Sequence, residues 1–213
     1  MDELSTVAFA IQIRVIARYI VMLLLCTKGG FMKGFNRQNQ LFSLCGLNCG
    51  LCPMFLNKNC PGCGGGEGNQ SCKIAKCSME HDGVQYCFQC SEYPCEKYNH
   101  IDDFDSFITH RGRRTDMEKA RRFGVDAYNA EQEEKAKILE VLLGNYNDGR
   151  KKTLYCVAVN LLELKELKMV LKEIDRKPDI EGLTLKEKSV FVAGLLQDVA
   201  ARNNIDLKLH RKK

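Results

Sequence analysis

Ten of the chain's twelve cysteines fall within the 51 residues from Cys45 to Cys95, in the order Cys45, Cys49, Cys52, Cys60, Cys63, Cys72, Cys77, Cys87, Cys90 and Cys95. Three of the pairs, Cys49/Cys52, Cys60/Cys63 and Cys87/Cys90, are C-x2-C. Such a clip lets two thiolates point at one ion while the backbone folds back beneath them, and four-thiolate zinc sites are commonly built from two clips. The run CPGCG at 60–64 is a strong clip: Pro61 pre-sets φ for the turn, and Gly62 and Gly64 accept tight backbone around the sulfurs. All ten cysteines are therefore candidate metal ligands, enough for two or three zinc ions.

Competing uses of the thiols fit less well. A disulfide scaffold needs an oxidising compartment and a leader to reach it. Thioredoxin-like redox chemistry needs a βαβ context, and no such pattern is visible. The spacing C45-x3-C49-x2-C52 with Gly65-Gly66-Glu67 mimics a radical-SAM enzyme, but no alternating strand–helix pattern follows to build its barrel. Thiolate-only coordination suits zinc and iron-sulfur clusters alike. Zinc is preferred, and an iron-sulfur protein with Cys45, Cys49 and Cys52 as cluster ligands is the alternative.

The blocks CGLNCGLCP (45–53), CPGC (60–63), CKIAKC (72–77) and CFQCSEYPC (87–95) resemble the bacterial and archaeal cysteine-rich family known as domain of unknown function 3795 (DUF3795). The family pattern is C-G-L-x-C-x-x-C, C-x-G-C, C-x-I-x-x-C and C-x-x-C-x-x-[FY]-P-C, and the cysteines match in order. One extra residue separates Cys90 from the Tyr93-Pro94-Cys95 ending. The close resemblance covers about 43–98, and a weaker echo runs through FGVDAYNAEQEEK at 123–135. It implies a prokaryotic metal-binding protein, with zinc as the metal, and carries no established activity. Some members place a further cysteine-containing segment after that helix; here only Cys156 stands there, so an additional C-terminal site is not expected.

Elements must hold these thiols in place. The chain has 213 residues, 45% hydrophobic and 28% charged, with net charge +5. That composition excludes a disordered polyelectrolyte and supports one or two domains with a real core. Three regions are expected: an N-terminal extension at 1–40, a cysteine-rich metal-binding domain at 41–100 and a helical region at 101–213. Val7 to Cys26 is apolar, but Arg14 and Arg18 interrupt it, so it makes a poor membrane span and a poor signal peptide. Lys28-Gly29-Gly30 can be encoded by a ribosome-binding sequence, which makes Met32 a candidate start that would leave 1–31 untranslated.

The C-terminal half reads as helical. Asn129 and Gln132 suggest a capping-box variant for a helix from Ala130 to Leu143, with support from Glu131–Lys135 and Glu133–Lys137 and a stop at Gly144. Its apolar stripe is Ile138, Leu139, Val141 and Leu142. Leu154, Val157, Leu161, Leu164, Leu167, Leu171 and Ile174 predict one helix from about 154 to 174. Thr184 and Glu187 cap a third, ending near Asn203-Asn204, with Val192, Leu195, Leu196 and Val199 inward. A fourth spans Asp116 to about Phe123. The fold class is thus mainly α: an irregular cysteine-rich metal-binding segment packed with a small C-terminal helical bundle. The leucine stripe reads as bundle core rather than dimer seam, and Cys156 as a buried apolar thiol.

His81 and His100 read as surface residues, since ten thiols already fill the ligand roles. Arg111, Arg113, Arg114, Lys119, Arg121 and Arg122 read as a solvated, salt-laced surface, with a zinc-dependent nucleic-acid binder as the weaker reading. The tail from Lys208 is expected to fray. No P-loop, HExxH, nucleophile elbow or G-x-G-x-x-G opening a helix occurs, so no residue receives a catalytic role. The functional expectation is a cytoplasmic zinc protein whose metal fixes loops that present a surface to a protein partner.

Overall fold

The computed structural model describes residues 34–66 and 72–212. The readings of the apolar stretch at 7–26 and of a start at Met32 lie outside them. The cysteine-rich segment is built from single turns and short helices: a 3-10 turn at Cys49–Leu51, helix α1 at Pro53–Leu56, helix α2 at Lys73–Glu80, and 3-10 turns at Cys87–Gln89 and Glu96–Tyr98. Five helices follow: α3 at Arg113–Phe123, α4 at Val125–Asn145, α5 at Lys152–Leu161, α6 at Leu164–Asp175 and α7 at Leu185–Arg202. Among the described residues there is no strand, only an isolated antiparallel bridge between Phe42 and Asn48. A parallel barrel of the radical-SAM kind is therefore absent from them. No helix there is long and apolar enough to cross a membrane.

Apolar periodicity places the bundle core. Leu139 and Leu142 of α4, Tyr155 to Val159 of α5, Leu167, Val170 and Ile174 of α6, and Val192, Leu196 and Ala200 of α7 form one buried cluster. Cys156 belongs to it, 3% exposed, as a core thiol. The leucine stripe is core, but it turns a corner. Instead of one helix over 154–174, the chain breaks at Leu162-Glu163, both extended. Glu163 caps α6 in a reciprocal box with Glu166, and Lys119 of α3 grips its carboxylate at 2.9 Å. That cross-chain ion pair and the cap hold the break, while the i, i+3/4 spacing runs straight through it.

Other boundaries shift for similar reasons. The helix expected at Ala130 starts at Val125, so Asn129 is interior, and Gly144 lies inside it instead of ending it. Gly124, with φ +91°, is the sharp turn between α3 and α4. The extra turn of α4 is held by Tyr128, 3% exposed, packed on Phe42 with ring centroids 4.5 Å apart. Val141 is exposed rather than inward; Lys135 pairs with Glu131 at 3.8 Å as expected, but its side chain is buried. α3 begins a turn before the expected Asp116. The Thr184 cap stands as expected: its Oγ1 accepts from the Glu187 amide at 3.3 Å. The tail is tied down as far as His210, which exchanges backbone and side-chain hydrogen bonds with Asp105 at 2.7 and 2.8 Å.

The cysteine-rich segment is not a separate body. Leu51, 1% exposed, sits in the bundle cluster, a burial that contributes about 2 kcal/mol. Phe42 and Tyr86 form a second cluster with Met117, Ala120 and Tyr128. Phe35, Leu44, Ile74, Ala75 and Tyr98 form a third within the segment. A segment with few apolar residues of its own thus completes its core with residues from α3 and α4.

Candidate metal centre

Two of the three C-x2-C clips share one backbone design. In each, a 3-10 turn opens on the first cysteine, and the second cysteine's N–H donates back to the first one's carbonyl: Cys52 to Cys49 and Cys90 to Cys87, both 3.0 Å. The second turn is reinforced by Gln89, whose Oε1 accepts from the Gln85 and Tyr86 amides at 3.0 Å. The third clip relies on close approach. Gly62 has φ +85°, and a Cβ there would lie 2.6 Å from the Gln40 carbonyl oxygen. That carbonyl accepts the Cys63 amide at 3.2 Å.

Tertiary structure sorts the thiols into two groups. Burial pushes the Cys49 thiol strongly up, and the neighbouring thiols of Cys63, Cys45, Cys52 and Cys60 push it further. Cys49, Cys52, Cys60 and Cys63 form the first group, and Cys45 borders it. Cys77, Cys87, Cys90 and Cys95 line one small cavity of about 30 Å³, together with apolar residues such as Ile74 and Val84 and the polar side chains of His81, Glu92 and Lys97. Burial lifts Cys87 to about 12 against the Tyr98 hydroxyl, with Cys45, Cys95 and Cys77 adding to the rise. Cys45 acts on members of both groups, and the Cys87 amide donates to the Leu44 carbonyl beside it at 2.9 Å. Cys72 stands exposed at the start of α2.

Each group has its own cation. Arg37, 5% exposed, lies against Cys63 and pulls its pKa down against burial. Its Nη1 donates to the carbonyls of Asn39 (2.8 Å) and Phe42 (2.9 Å), and its Nε and Nη2 donate to Gln85. It also lies over the Tyr86 ring, 4.9 Å from the centroid. Lys97 lies beside Cys77 and Cys95, whose thiols raise its pKa. Neither residue was singled out in the sequence, because neither has a cysteine-linked spacing.

The donor set fits a thiophilic divalent ion. Among the described residues every cysteine is free. No three Cys, His, Asp or Glu side chains among those residues are already drawn together as an ion cage. Buried thiols that repel one another's charge stay protonated, and a cation of charge two reverses that preference.

His81 plays a larger part than surface placement implies. Its Nδ1 stands 2.8 Å from the Cys77 carbonyl oxygen and 3.6 Å from the Cys77 sulfur, on the wall of the small cavity. His100 is exposed and pairs with Asp103, as expected of a surface residue. Asn48, inside the first cysteine block, is 3% exposed. Its Nδ2 donates to Asp116 at 3.0 Å, and its Oδ1 accepts from the Tyr128 hydroxyl at 2.9 Å. This network pins the loop between Cys45 and Cys49 to α3 and α4.

The basic strip is largely engaged within the fold. Arg113 and Arg114 pair with Asp102, Arg121 with Glu118 and Lys119 with Glu163. Arg111 donates to the carbonyls of Asp206 and Lys208. Arg122 lies over the Phe123 ring.

Residues 41–100 match the model of the family described as "Protein of unknown function (DUF3795)", the family that the four cysteine blocks resemble. No curated protein matches the chain, and no solved structure matches it.

Proposed function

We propose that this chain is a cytoplasmic zinc-binding protein in which the metal has a structural role, fixing loops that present a surface to a protein partner. The observation that carries the reading is the sorting of the thiols into two groups, each built on a 3-10 C-x2-C turn and each with one adjacent cation. Cys49, Cys52, Cys60 and Cys63 would hold one ion, and Cys77, Cys87, Cys90 and Cys95 another. Cys45 lies between the groups, and Cys72 precedes the second, so the ten thiols supply two or three zinc ions. Four thiolates around one zinc carry a net charge of minus two, which Arg37 and Lys97 partly offset. Zinc has no redox chemistry of its own, so what it supplies here is cross-linking of loops.

Purification without oxygen, followed by metal and sulfide analysis and a visible spectrum, tests the proposal. Two or three zinc ions per colourless chain is the expected result. Cys60→Ser and Cys90→Ser should each lower the zinc content by about one ion, independently of each other. Stoichiometric iron with sulfide and a brown colour would overturn zinc, and a metal-free folded chain would overturn metal binding altogether.

A further inference from the structure

A second site lies on the helical side, in a cavity of about 300 Å³ lined by no cysteine. It opens where the start of α3 faces α4 and the corner between α5 and α6. Lys135 of α4 lines it with a side chain only 5% exposed. Among the described residues its ammonium has an ion-pair partner in Glu131, at 3.8 Å, and makes no hydrogen bond. An ammonium carries three donors, and one removed from bulk water needs acceptors. Asp116 lines the same cavity and is not ion-paired to Lys135; its carboxylate is held by Asn48 at 3.0 Å. A buried amine and a carboxylate thus share one small space without meeting.

We infer that this cavity binds a small zwitterion of the α-amino-acid class, with its carboxylate on Lys135 and its ammonium toward Asp116. A lone anion on Lys135 would meet the carboxylate of Asp116, and a lone cation would meet Lys135 with Lys119 and Arg111 nearby. A molecule carrying both charges satisfies both ends. Asn160, 9% exposed, uses its Nδ2 on the Cys156 carbonyl at 2.8 Å, leaving its Oδ1 as an acceptor for an ammonium. Thr115 adds a hydroxyl at the exposed mouth. The other lining charges are already engaged: Lys119 holds Glu163 at 2.9 and 3.1 Å, Arg111 donates to the Asp206 and Lys208 carbonyls, and Asp206 faces His210, which leaves Lys135 as the lining cation with no hydrogen bond among the described residues. The volume sits at the small end of ligand pockets, which favours a ligand of few heavy atoms. The inference does not rest on the metal reading.

Calorimetric titration of the full chain as purified, with glycine and alanine against acetate and methylammonium, tests it. Either amino acid should bind at least about tenfold more tightly than either one-ended compound, and Lys135→Met should abolish that difference. In the unmodified protein, glycine should slow hydrogen exchange around residues 112–116, 131–136 and 160–163, a readout that needs no variant to fold. Equal binding of acetate and glycine would overturn the inference. So would a glycine footprint elsewhere, or no binding of either amino acid at about 10 mM by a chain shown folded by circular dichroism.

Discussion

Replacing Arg37 separates charge from geometry in the first cysteine group. The guanidinium serves three carbonyls, of which the bond to Phe42 is buried and those to Asn39 and Gln85 are half-buried. Leaving the Phe42 carbonyl unpaired costs about 2 kcal/mol, and each of the other two about 1 kcal/mol. The stacking on Tyr86 adds about 0.5 kcal/mol. Arg37→Met should therefore cost about 4.5 kcal/mol, a fall in melting temperature of roughly 10 to 15 °C for a chain of this size. Arg37→Lys keeps a cation near Cys63 but has no planar fork to span three acceptors, so at least half of that loss should remain. Urea denaturation of the three proteins, each with its native metal content, measures both effects. Lysine within about 0.5 kcal/mol of arginine would refute the reasoning, because charge alone would then carry the stabilisation. The same Met variant should weaken metal retention in the first group and spare the second, since Lys97 serves the latter.

Further expectations follow from individual contacts. Gly62→Ala forces a Cβ to within 2.6 Å of the Gln40 carbonyl oxygen at positive φ, and should destabilise by more than about 1 kcal/mol in denaturant titration. Thr184→Ala removes the cap of α7 and should cost about 1 kcal/mol by scanning calorimetry. Burial lifts Asp116 to about 6, against the pull of Lys135, Tyr128, Lys119 and Asn48. The folded state then binds its proton more tightly than the unfolded state, so this group's contribution to stability is full below about pH 4 and falls as pH rises towards 6. Asp116→Asn should remove that fall, read as the difference between variant and native urea midpoints at pH 4.5 and 7. A chelator should raise hydrogen exchange across 45–63 and 72–98 and leave Val157–Val159 and Val192–Leu196 protected; uniform loss would show that the bundle depends on the metal.

Which features could be read in advance depended on how local their causes are. The Thr184–Glu187 cap lies within four residues, and the C-x2-C turns within four, so spacing alone announced them. The break at Leu162-Glu163 was hidden because leucines continue at helical spacing on both sides of it. Its hold comes from Lys119, forty-four residues earlier. Spacing gave the Glu131–Lys135 pair but not its burial, because the packing of α4 against α3 takes Lys135 out of water. The basic residues between Arg111 and Arg122 read as a salt-laced surface, and their ion pairs bear that out, but their particular partners at Asp102, Glu163 and the tail carbonyls and the burial of Arg113 depend on contacts distant in sequence. Arg37 carried no local signal, because its acceptors lie at Asn39, Phe42 and Gln85 and its role appears only when those three converge.

The sequence by itself determined that residues 45–95 are a thiol-rich, family-matching segment, from the order and spacing of the cysteines, and that the region after it is mainly helical, from its apolar period. Both properties are written in short-range backbone turns and in the 3.6-residue period of apolar side chains. Only the tertiary structure decided how the thiols divide, with Cys49 through Cys63 on one side, Cys77 through Cys95 on the other and Cys45 between them. It also decided that Leu51 and Asn48 anchor the segment to the bundle, and that Lys135 and Asp116 share a cavity. Those facts depend on contacts between residues tens of positions apart. Such contacts form only where buried apolar area and satisfied hydrogen bonds outweigh the entropy of closing the loops between them.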